Sequence, residues 1–574
     1  MAPTMGAMHV ATIRRRHGER VYESHLVRRS VRDGKQVRHE TIANVSKLPP
    51  AALEALRRAL AGQTLLAADE AFEIERSLPH GHVAAVLAAL RRLDVARLLD
   101  RSPSRQRSLV LAMICQRLLR PGSKLACVRA FGQSTLASEL AVGDADADEL
   151  YAALDWLGDR QAQIERRLAR RHLSDGELAL YDLSSSYFEG RRCRLATLGY
   201  SRDGRRGTLQ IVYGLLTDRR GVPVAVEVCS GATADDQTVP AQLEKLRTRF
   251  GLASVVLVAD RGMVTRANLD ALRDTDGVDW ITALKAPQVK KLATTGALQL
   301  SLFDQTNLAE ITSDDFPGER LVVCRNPLVA AERSRKRAAL LDATEAALAP
   351  IAARITNGTL VEAGQIGLAV GPALTRYRVR KHFTVTITDG RLQIARKTDQ
   401  IAAEAALDGI YVLRTSVAPD RLDGPAVVRA YKQLKEVEKA FRALKGRDLE
   451  IRPIHHHLER RVRAHVLLCM LAYYLEWHLR QAWRELTFTD EQPPDRPDPV
   501  AKATRSPSAQ TKAETKHTTA GHPAHSYHSL IAELATQTRN TIRIPDNNAT
   551  FTKLANPTLL QARALQLADT ITAT

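Results

Sequence analysis

The stretch Leu180-Tyr181-Asp182-Leu183-Ser184-Ser185-Ser186-Tyr187 carries one acidic residue within a run of apolar and small side chains. This composition predicts a β-strand, in which an ionised carboxylate is costly to bury unless it is paired or ligates a cation. A second stretch, Val255-Val256-Leu257-Val258-Ala259-Asp260, is a compact apolar strand that ends in an aspartate. Ligand sites gather at the carboxyl ends of parallel strands. Either aspartate alone could be a strand-end cap, but two on central strands of one sheet predict a site.

The residues around these two strands predict an α/β domain. Three β-rich runs are followed by an amphipathic helix, a buried strand, a helix and a last strand. In order they are Glu177–Phe188, Thr208–Thr217, Val222–Cys229, Val239–Arg249, Ser254–Ala259, Thr265–Asp274 and Trp280–Leu284. This is the element order of an RNase H-like fold. We therefore expect an RNase H-like domain whose first part is 177–284 and whose second part, 426–485, follows a large α+β insertion.

A third set of polar residues lies on a predicted helix in the second part. Tyr431, Glu438 and Lys445 are seven residues apart, so successive members lie within about 20° of each other on the helix surface. Lys435 and Arg442 are their neighbours. The pattern also fits an ordinary solvated helix with ion pairs between successive turns. Between residues 429 and 463, however, eleven basic residues face five acidic ones, which favours a phosphate-binding face.

The overall composition limits the class of protein. The chain has 574 residues, and 83 Lys and Arg against 64 Asp and Glu give a formal net charge of +19, which favours nucleic acid or another anionic partner. Six cysteines without a C-x-x-C pair argue against structural zinc and for a reducing cytosol. The most apolar run, 466–475, is too short to span a membrane. We expect a cytoplasmic, nucleoid-associated protein with no membrane partner.

Composition shifts along the chain predict seven regions. They are a basic N-terminal DNA-binding arm (1–62), an all-helical domain (63–176), the first core part (177–284), the insertion (285–425), the second core part with the Glu438 helix (426–485), a disordered linker (486–525) and a C-terminal helical segment (526–574). The linker prediction rests on its Pro-, Thr-, Lys- and His-rich composition with few large apolar side chains.

The basic arm contains a hairpin signal, Asp33-Gly34, between two β-leaning runs. Residues 1–60 hold 12 Lys and Arg against 5 Asp and Glu. Arg28, Arg32 and Arg38 would decorate the ribbon. They could contact DNA phosphates, which the charge excess favours, or simply belong to a solvated charged hairpin.

Together these residues resemble the DDE-type transposases of bacterial insertion sequences. The first-Asp strand of that family is similar to 180–190, its second-Asp motif to 258–263, and its Gly-Asn-Thr-x-Asp turn to 231–235. More narrowly, the chain resembles the branch with a Tyr-x2-Arg-x3-Glu-x6-Lys helix, insertion sequence family four and its relatives. Two positions depart from the family pattern: Leu434 stands where the signature has Arg, and Ala232 where the turn has Asn.

The resemblance implies an activity and a set of roles. Asp182, Asp260 and Glu438 would be the catalytic residues and the ligands of two Mg²⁺ ions, with Mn²⁺ as a substitute. Tyr431, Lys435, Arg442 and Lys445 would contact DNA. The enzyme would bind the terminal inverted repeats of an insertion sequence as a homodimer, cut double-stranded DNA at the element ends, and join the 3′-hydroxyl ends to target DNA.

Two alternatives to this cut-and-paste transposase stay open. One is an RNase H-like nuclease that cuts without strand transfer. The other is a domesticated or inactive derivative that only binds DNA. The presence of all three acidic residues argues against the second alternative.

Overall fold

The computed structural model describes residues 4–33, 36–63, 72–273, 275–303, 306–545 and 548–573. Two compact units account for the chain. The first comprises Met1–Leu78 with Arg539–Ala555, and the second comprises Pro79–Thr538 with Asn556–Thr574. None of the helices in the described ranges combines the length and the apolar character that crossing a bilayer requires.

The strands of the described residues, in chain order, are β1 (Thr4–His17), β2 (Arg20–Asp33), β3 (Gln36–Asn44), β4 (Glu73–Pro79), β5 (Leu178–Tyr187), β6 (Gln210–Asp218), β7 (Pro223–Ser230), β8 (Val255–Ala259), β9 (Val278–Ala283), β10 (Leu308–Ile311), β11 (Arg320–Arg325), β12 (Phe383–Thr388), β13 (Arg391–Arg396), β14 (Ile410–Thr415), β15 (Thr538–Ile544) and β16 (Ala549–Leu554).

The α-helices of the same residues are α1 (Pro50–Leu60), α2 (Gly81–Arg92), α3 (Val95–Leu99), α4 (Arg105–Leu119), α5 (Lys124–Phe131), α6 (Leu136–Glu139), α7 (Ala147–Asp159), α8 (Gln161–His172), α9 (Val239–Glu244), α10 (Arg266–Arg273), α11 (Ala286–Thr294), α12 (Pro327–Thr356), α13 (Ala363–Arg376), α14 (Thr398–Ala405), α15 (Gly424–Lys432), α16 (Leu434–Lys445), α17 (Glu459–Ala482), α18 (Pro507–Thr515), α19 (Tyr527–Ala535) and α20 (Leu559–Asp569).

The first unit contains two three-stranded sheets, ordered β1-β2-β3 and β16-β15-β4. Strands β2 and β3 form the predicted hairpin, with Asp33 opposite Gln36; Gly34 of the predicted turn lies outside the described residues. Helix α1 packs against β1, where Arg57 Nη2 donates to Thr12 Oγ1 at 3.0 Å. The hairpin β15–β16 was missed, because only helices were predicted within the C-terminal helical segment 526–574.

An eight-stranded mixed sheet organises the second unit, in the order β10-β11-β14-β9-β8-β5-β6-β7. Strands β5, β6 and β7 are antiparallel neighbours, while β8 and β9 run parallel to β5. The five neighbouring strands β5, β6, β7, β8 and β9 therefore follow the predicted element order. Every residue of β6 and β8 is buried, as expected for strands covered on both faces. Helix α16 packs on β5, and the largely buried α17 packs on β7.

The predicted insertion, 285–425, turns out to be two structures. Its strands β10, β11 and β14 extend the central sheet beyond β9, because β14 pairs antiparallel with β9 from Leu413–Ala283 onward. Residues 327–405 instead form a subdomain with a separate apolar core around Leu348, Ile366 and Phe383. Helix α13 was not predicted, since Gly364, Gly367, Gly371 and Pro372 within it weaken the helical signal.

The segment 486–525 was predicted to be disordered, and the structure contradicts this. Lys512 of α18 is buried, and its ammonium donates to the carbonyl oxygens of Arg484 (2.9 Å) and Thr487 (3.0 Å). Ser506 caps α18 and donates to Asp490 Oδ1 at 2.6 Å. These polar contacts order the segment without apolar bulk, so the composition alone did not indicate them.

Candidate active site

Asp182 and Asp260 lie side by side on adjacent parallel strands. Strand β5 pairs with β8 up to Tyr181, which is opposite Ala259. Asp182 and Asp260 directly follow this pair in sequence, so the two aspartates lie next to each other, as predicted. Gly214 on β6 leaves space for the buried ring of Tyr181, the residue before Asp182, because a Cβ at position 214 would collide with that ring.

The Asp182 carboxylate is in an environment that disfavours its charge. Burial, followed by the charges of Asp260 and Glu438, raises the pKa of Asp182 to about 7, against a hydrogen bond from Leu183 N to its Oδ1 at 2.8 Å. Arg202 acts in the opposite direction. No ion pair to Asp182 is present within the described part of the chain. A half-buried carboxylate without an ion-pair partner is a group that a cation would stabilise.

Glu438 and Tyr431 come to this edge from the helices that follow the insertion. The predicted single helix is interrupted at Gln433, which separates α15 from α16 but keeps right-handed helical angles. Tyr431 Oη donates to Asp260 Oδ1 at 3.4 Å. Burial and the Asp260 charge raise the pKa of the Tyr431 phenol. Glu438 is exposed, and its charge contributes to the shifted pKa of Asp182. The structure thus brings Tyr431 and the three carboxylates together.

Lys445 was predicted to contact DNA, but in the structure it is bound to an aspartate. Its ammonium donates to Asp203 Oδ1 at 2.9 Å, and only 12% of the side chain is exposed. The same oxygen is 2.6 Å from Arg452 Nη1, and Asp203 Oδ2 accepts from Tyr187 N at 3.0 Å. Burial lowers the pKa of Lys445, and Asp203 offsets part of that effect. Lys445 is therefore held in the protein rather than presented to solvent.

The other predicted cations of α16 are exposed. Lys435 Nζ lies 3.9 Å from Glu436 Oε1, which is at most a weak surface pair. Arg442 has no ion pair to any described residue. Leu434, at the position of the signature arginine, is 9% exposed and packs into the main core. The side chain at this position therefore faces the protein interior.

Two residues of the site were not predicted, Arg202 and Asp203. Arg202 forms an ion pair with Asp235, at the start of the short 3₁₀ segment Asp235–Thr238, and its backbone N–H donates to Ser185 Oγ at 3.0 Å. Arg202 and Asp235 line a recess of about 470 Å³, together with Tyr200, Gly262 and Lys285. The signal available in the sequence was the glycine-framed charged loop between β5 and β6, at 199–207.

The three predicted DNA-binding arginines of the first unit do not share a face of their sheet. Arg32 is opposite Val37 and Arg28 opposite Thr41, whereas Arg38 is opposite Val31. Directly opposed residues point to the same face of a sheet, and successive residues along a strand point to opposite faces. Arg28 and Arg32 therefore lie on one face and Arg38 on the other, because a two-residue connection fixes this register.

The three carboxylates suit a hard divalent cation in their chemistry, since oxygen donors are what Mg²⁺ and Mn²⁺ prefer. Asp182 also lacks a cationic partner. However, among the residues that the structure describes, no group of three or more His, Cys, Asp or Glu side chains is arranged closely enough to hold a metal ion. The donor set is thus gathered at one edge of the sheet without forming a closed coordination site.

Family comparisons agree with this architecture. Residues 190–475 match the family model of the transposase DDE domain, and residues 10–71 match that of the IS1634 family transposase, N-terminal domain. Residues 190–475 are therefore similar to a transposase DDE domain, and residues 10–71 are similar to the N-terminal domain of IS1634 family transposases. The narrower assignment to insertion sequence family four is not confirmed. Asp260 and Glu438 lie within the matched DDE segment, and Asp182 precedes it.

The remaining comparisons add little. A search of curated proteins gives no match. Among solved structures, a chain of the cryo-EM structure of the piggyBac transposase synaptic complex with hairpin DNA aligns over 80% of this chain and 80% of its own, at 9% identity and a TM-score of 0.33. The two family matches are what support a DNA transposase.

Proposed function

We propose that this protein is a cut-and-paste DNA transposase with an RNase H-like catalytic core, in which Asp182, Asp260 and Glu438 are the catalytic residues. The observation that carries the proposal is the position of two aspartates at adjacent parallel strand positions, with a helical glutamate close enough to affect the pKa of Asp182. This arrangement lies in a chain with a transposase DDE domain. The substrates are the terminal inverted repeats of an insertion sequence and the target DNA, bound by a homodimer.

The three carboxylates would hold two Mg²⁺ ions, or Mn²⁺, which supply an activated water and stabilise the leaving 3′ oxygen during in-line phosphodiester hydrolysis. The protein's own residues arrange the site. Tyr431 donates to Asp260 and orients that carboxylate. Arg202 places a guanidinium near Asp182, where it favours the ionised carboxylate. The freed 3′-hydroxyl would then occupy the same edge as the nucleophile for joining.

Contacts to DNA beyond the cleavage site are assigned to cations of the Glu438 helix and of the first unit. Lys435 and Arg442 stand on the Glu438 helix and are exposed. In the first unit, Arg28 and Arg32 lie on one face of the sheet β1-β2-β3. Phosphate contacts of this kind supply affinity and position the protein on the duplex.

Cleavage of a supercoiled plasmid that carries the flanking inverted repeats tests the proposal. The wild type and two variants, Asp260→Asn and Asp420→Asn, are compared with Mg²⁺ or with EDTA. Asp420 is an exposed aspartate in the turn after β14, so its variant is a matched control. We expect metal-dependent cutting at the repeat ends by the wild type and the control, and none by Asp260→Asn.

The other outcomes separate the alternatives. Cutting at the ends without joined products in the presence of target DNA would indicate a nuclease. Binding to the repeats without cutting, with any divalent metal, would indicate a DNA-binding derivative. Full activity of Asp260→Asn would refute the assignment of the site.

A further inference from the structure

A groove of about 820 Å³ lies beyond the carboxylates, between the central sheet and the subdomain formed by 327–405. One side is provided by Arg261 and the start of α11, and the other by α12 and the segment that follows α13. Its floor includes the apolar side chains of Leu284, Val289 and Ile410. The basic residues that line it are Arg261, Lys290, Arg333, Lys336, Arg337, Arg378 and Lys381.

Most of this positive charge is not neutralised by the protein. Two carboxylates line the groove, Asp408 and Glu404. Arg337 pairs with Asp408, and Lys381 Nζ lies 2.6 Å from Glu404 Oε2. For the other five cations, no ion pair to a described residue is present. Five uncompensated positive charges around one groove create a field that attracts an anionic ligand with several charges.

The groove adjoins the carboxylates through Arg261. Arg261 follows Asp260 directly in the chain, and its charge affects the pKa of Tyr431, whose hydroxyl donates to Asp260. From there the cations continue along α12, where Arg333 and Lys336 are three residues apart and so share a face of the helix. A ligand that follows these charges passes from the carboxylates to the subdomain.

We propose that this groove binds the phosphodiester backbone of the DNA that leaves the active site. A nucleic acid fits better than a small anion, because five unpaired cations on the two walls of a groove of about 820 Å³ carry more positive charge than one small anion neutralises. The assignment rests on the proposed function, and it gives the 327–405 subdomain a role as one wall of the DNA path. Arg261, Lys290, Arg333, Lys336 and Arg378 are its phosphate contacts.

The salt dependence of DNA binding tests the groove. The double variant Arg333→Ala/Lys336→Ala is compared with the wild type and with Arg335→Ala, which removes an exposed arginine from the same helix but outside the groove. Affinity for a duplex that carries the flanking inverted repeat is measured from 0.05 to about 0.3 M NaCl. Each lost phosphate contact lowers the slope of log K against log salt by about 0.9, which is about eightfold in affinity at 0.1 M salt.

For the double variant we therefore expect the magnitude of the slope to fall by about two and the affinity to be roughly 60-fold weaker at 0.1 M salt. For Arg335→Ala we expect a slope and an affinity close to those of the wild type. Lys290→Ala, an exposed site on α11, should lower the slope by about one. It provides a second measurement if the double variant folds poorly by circular dichroism.

The measurements distinguish a failure of the groove assignment from a failure of the proposed transposase function. If the wild type cuts and binds the repeat DNA while the groove variants behave like Arg335→Ala, the groove assignment is wrong and the transposase proposal stands. If inorganic phosphate competes at the groove but DNA slopes do not change, the groove takes a small anion. If the wild type neither binds nor cuts DNA, the proposed function fails and the groove assignment falls with it.

Discussion

Asp203→Asn should destabilise the second unit through the two cations that Asp203 holds. The carboxylate is 1% exposed and lies against Lys445, which is 12% exposed, and Arg452, which is 31% exposed. Asparagine keeps an acceptor for Tyr187 N but removes the negative charge. Breaking a buried pair by removing one partner costs about 3–5 kcal/mol, and the partial exposure of Arg452 places this case near the lower end, at about 3 kcal/mol.

Urea unfolding followed by tryptophan fluorescence measures this loss. The four tryptophans, Trp156, Trp280, Trp477 and Trp483, all belong to the second unit. With a urea dependence of about 3 kcal/mol per M, a loss of about 3 kcal/mol moves the midpoint down by about 1 M. Asp420→Asn, which removes an exposed carboxylate, is the matched control and should leave the midpoint unchanged.

A second substitution tests the cause. Lys445→Met removes the more buried cation, so Asp203→Asn/Lys445→Met should be more stable than Asp203→Asn alone by at least 1 kcal/mol. If Asp203→Asn unfolds at the wild-type urea concentration, or if the double variant is no better than the single one, Asp203 does not act by neutralising Lys445.

Three further predictions follow from packing and burial. Gly214→Ala should cost about 1–3 kcal/mol and reduce cleavage, because its Cβ collides with the buried Tyr181 ring beside Asp182, whereas Gly367→Ala, with open space around it, should be harmless; equal thermal midpoints for the two variants would contradict this. Leu434→Arg, which restores the signature residue, should lower stability by about 2–3 kcal/mol in urea unfolding, since the side chain is 9% exposed in the core, and an unchanged midpoint would show that the arginine reaches solvent. Burial lowers the pKa of His172 to about 4 and of His478 to about 3, whereas both are near 6.5 in the unfolded chain. Each neutral histidine therefore contributes its full share to the free energy of unfolding above pH 6.5, and about 2 kcal/mol of it is lost when the pH falls to 5. The thermal midpoint should drop between pH 7 and pH 5, and the drop should be smaller in His172→Gln.

The central strands and the neighbourhood of the three carboxylates could be predicted from the sequence because their signals are local. The apolar run that precedes Asp260 is fully buried in the structure, as the periodicity of its side chains predicts. Tyr431 and Glu438 lie on the consecutive helices α15 and α16, near Asp260 and Asp182 respectively, because Gln433 between the two helices keeps helical angles.

Partners that are distant in sequence could not be predicted in the same way. Lys445 was expected to face DNA, but Asp203, which holds it, lies 242 positions away. Likewise, the composition of β10, β11 and β14 predicts strands without indicating which sheet they join. The faces of Arg28, Arg32 and Arg38 could have been derived, since two residues between Asp33 and Gln36 fix which positions are opposed.

The pairing of β11 with β14 makes the 327–405 subdomain an exchangeable module. Arg325, where the chain leaves the sheet, is directly opposed to Ile410, where it returns, so their Cβ atoms are about 5 Å apart. Residues 326–409 therefore form a long loop whose two ends are held together by the pairing of β11 with β14. The free-energy cost of closing such a loop grows only slowly with its length. The module can therefore be shortened or replaced, and with it the wall of the proposed groove, without displacing the strands that carry Asp182 and Asp260. A short turn joining Arg325 to Ile410 is accordingly the natural design for a chain that keeps the central sheet without the subdomain.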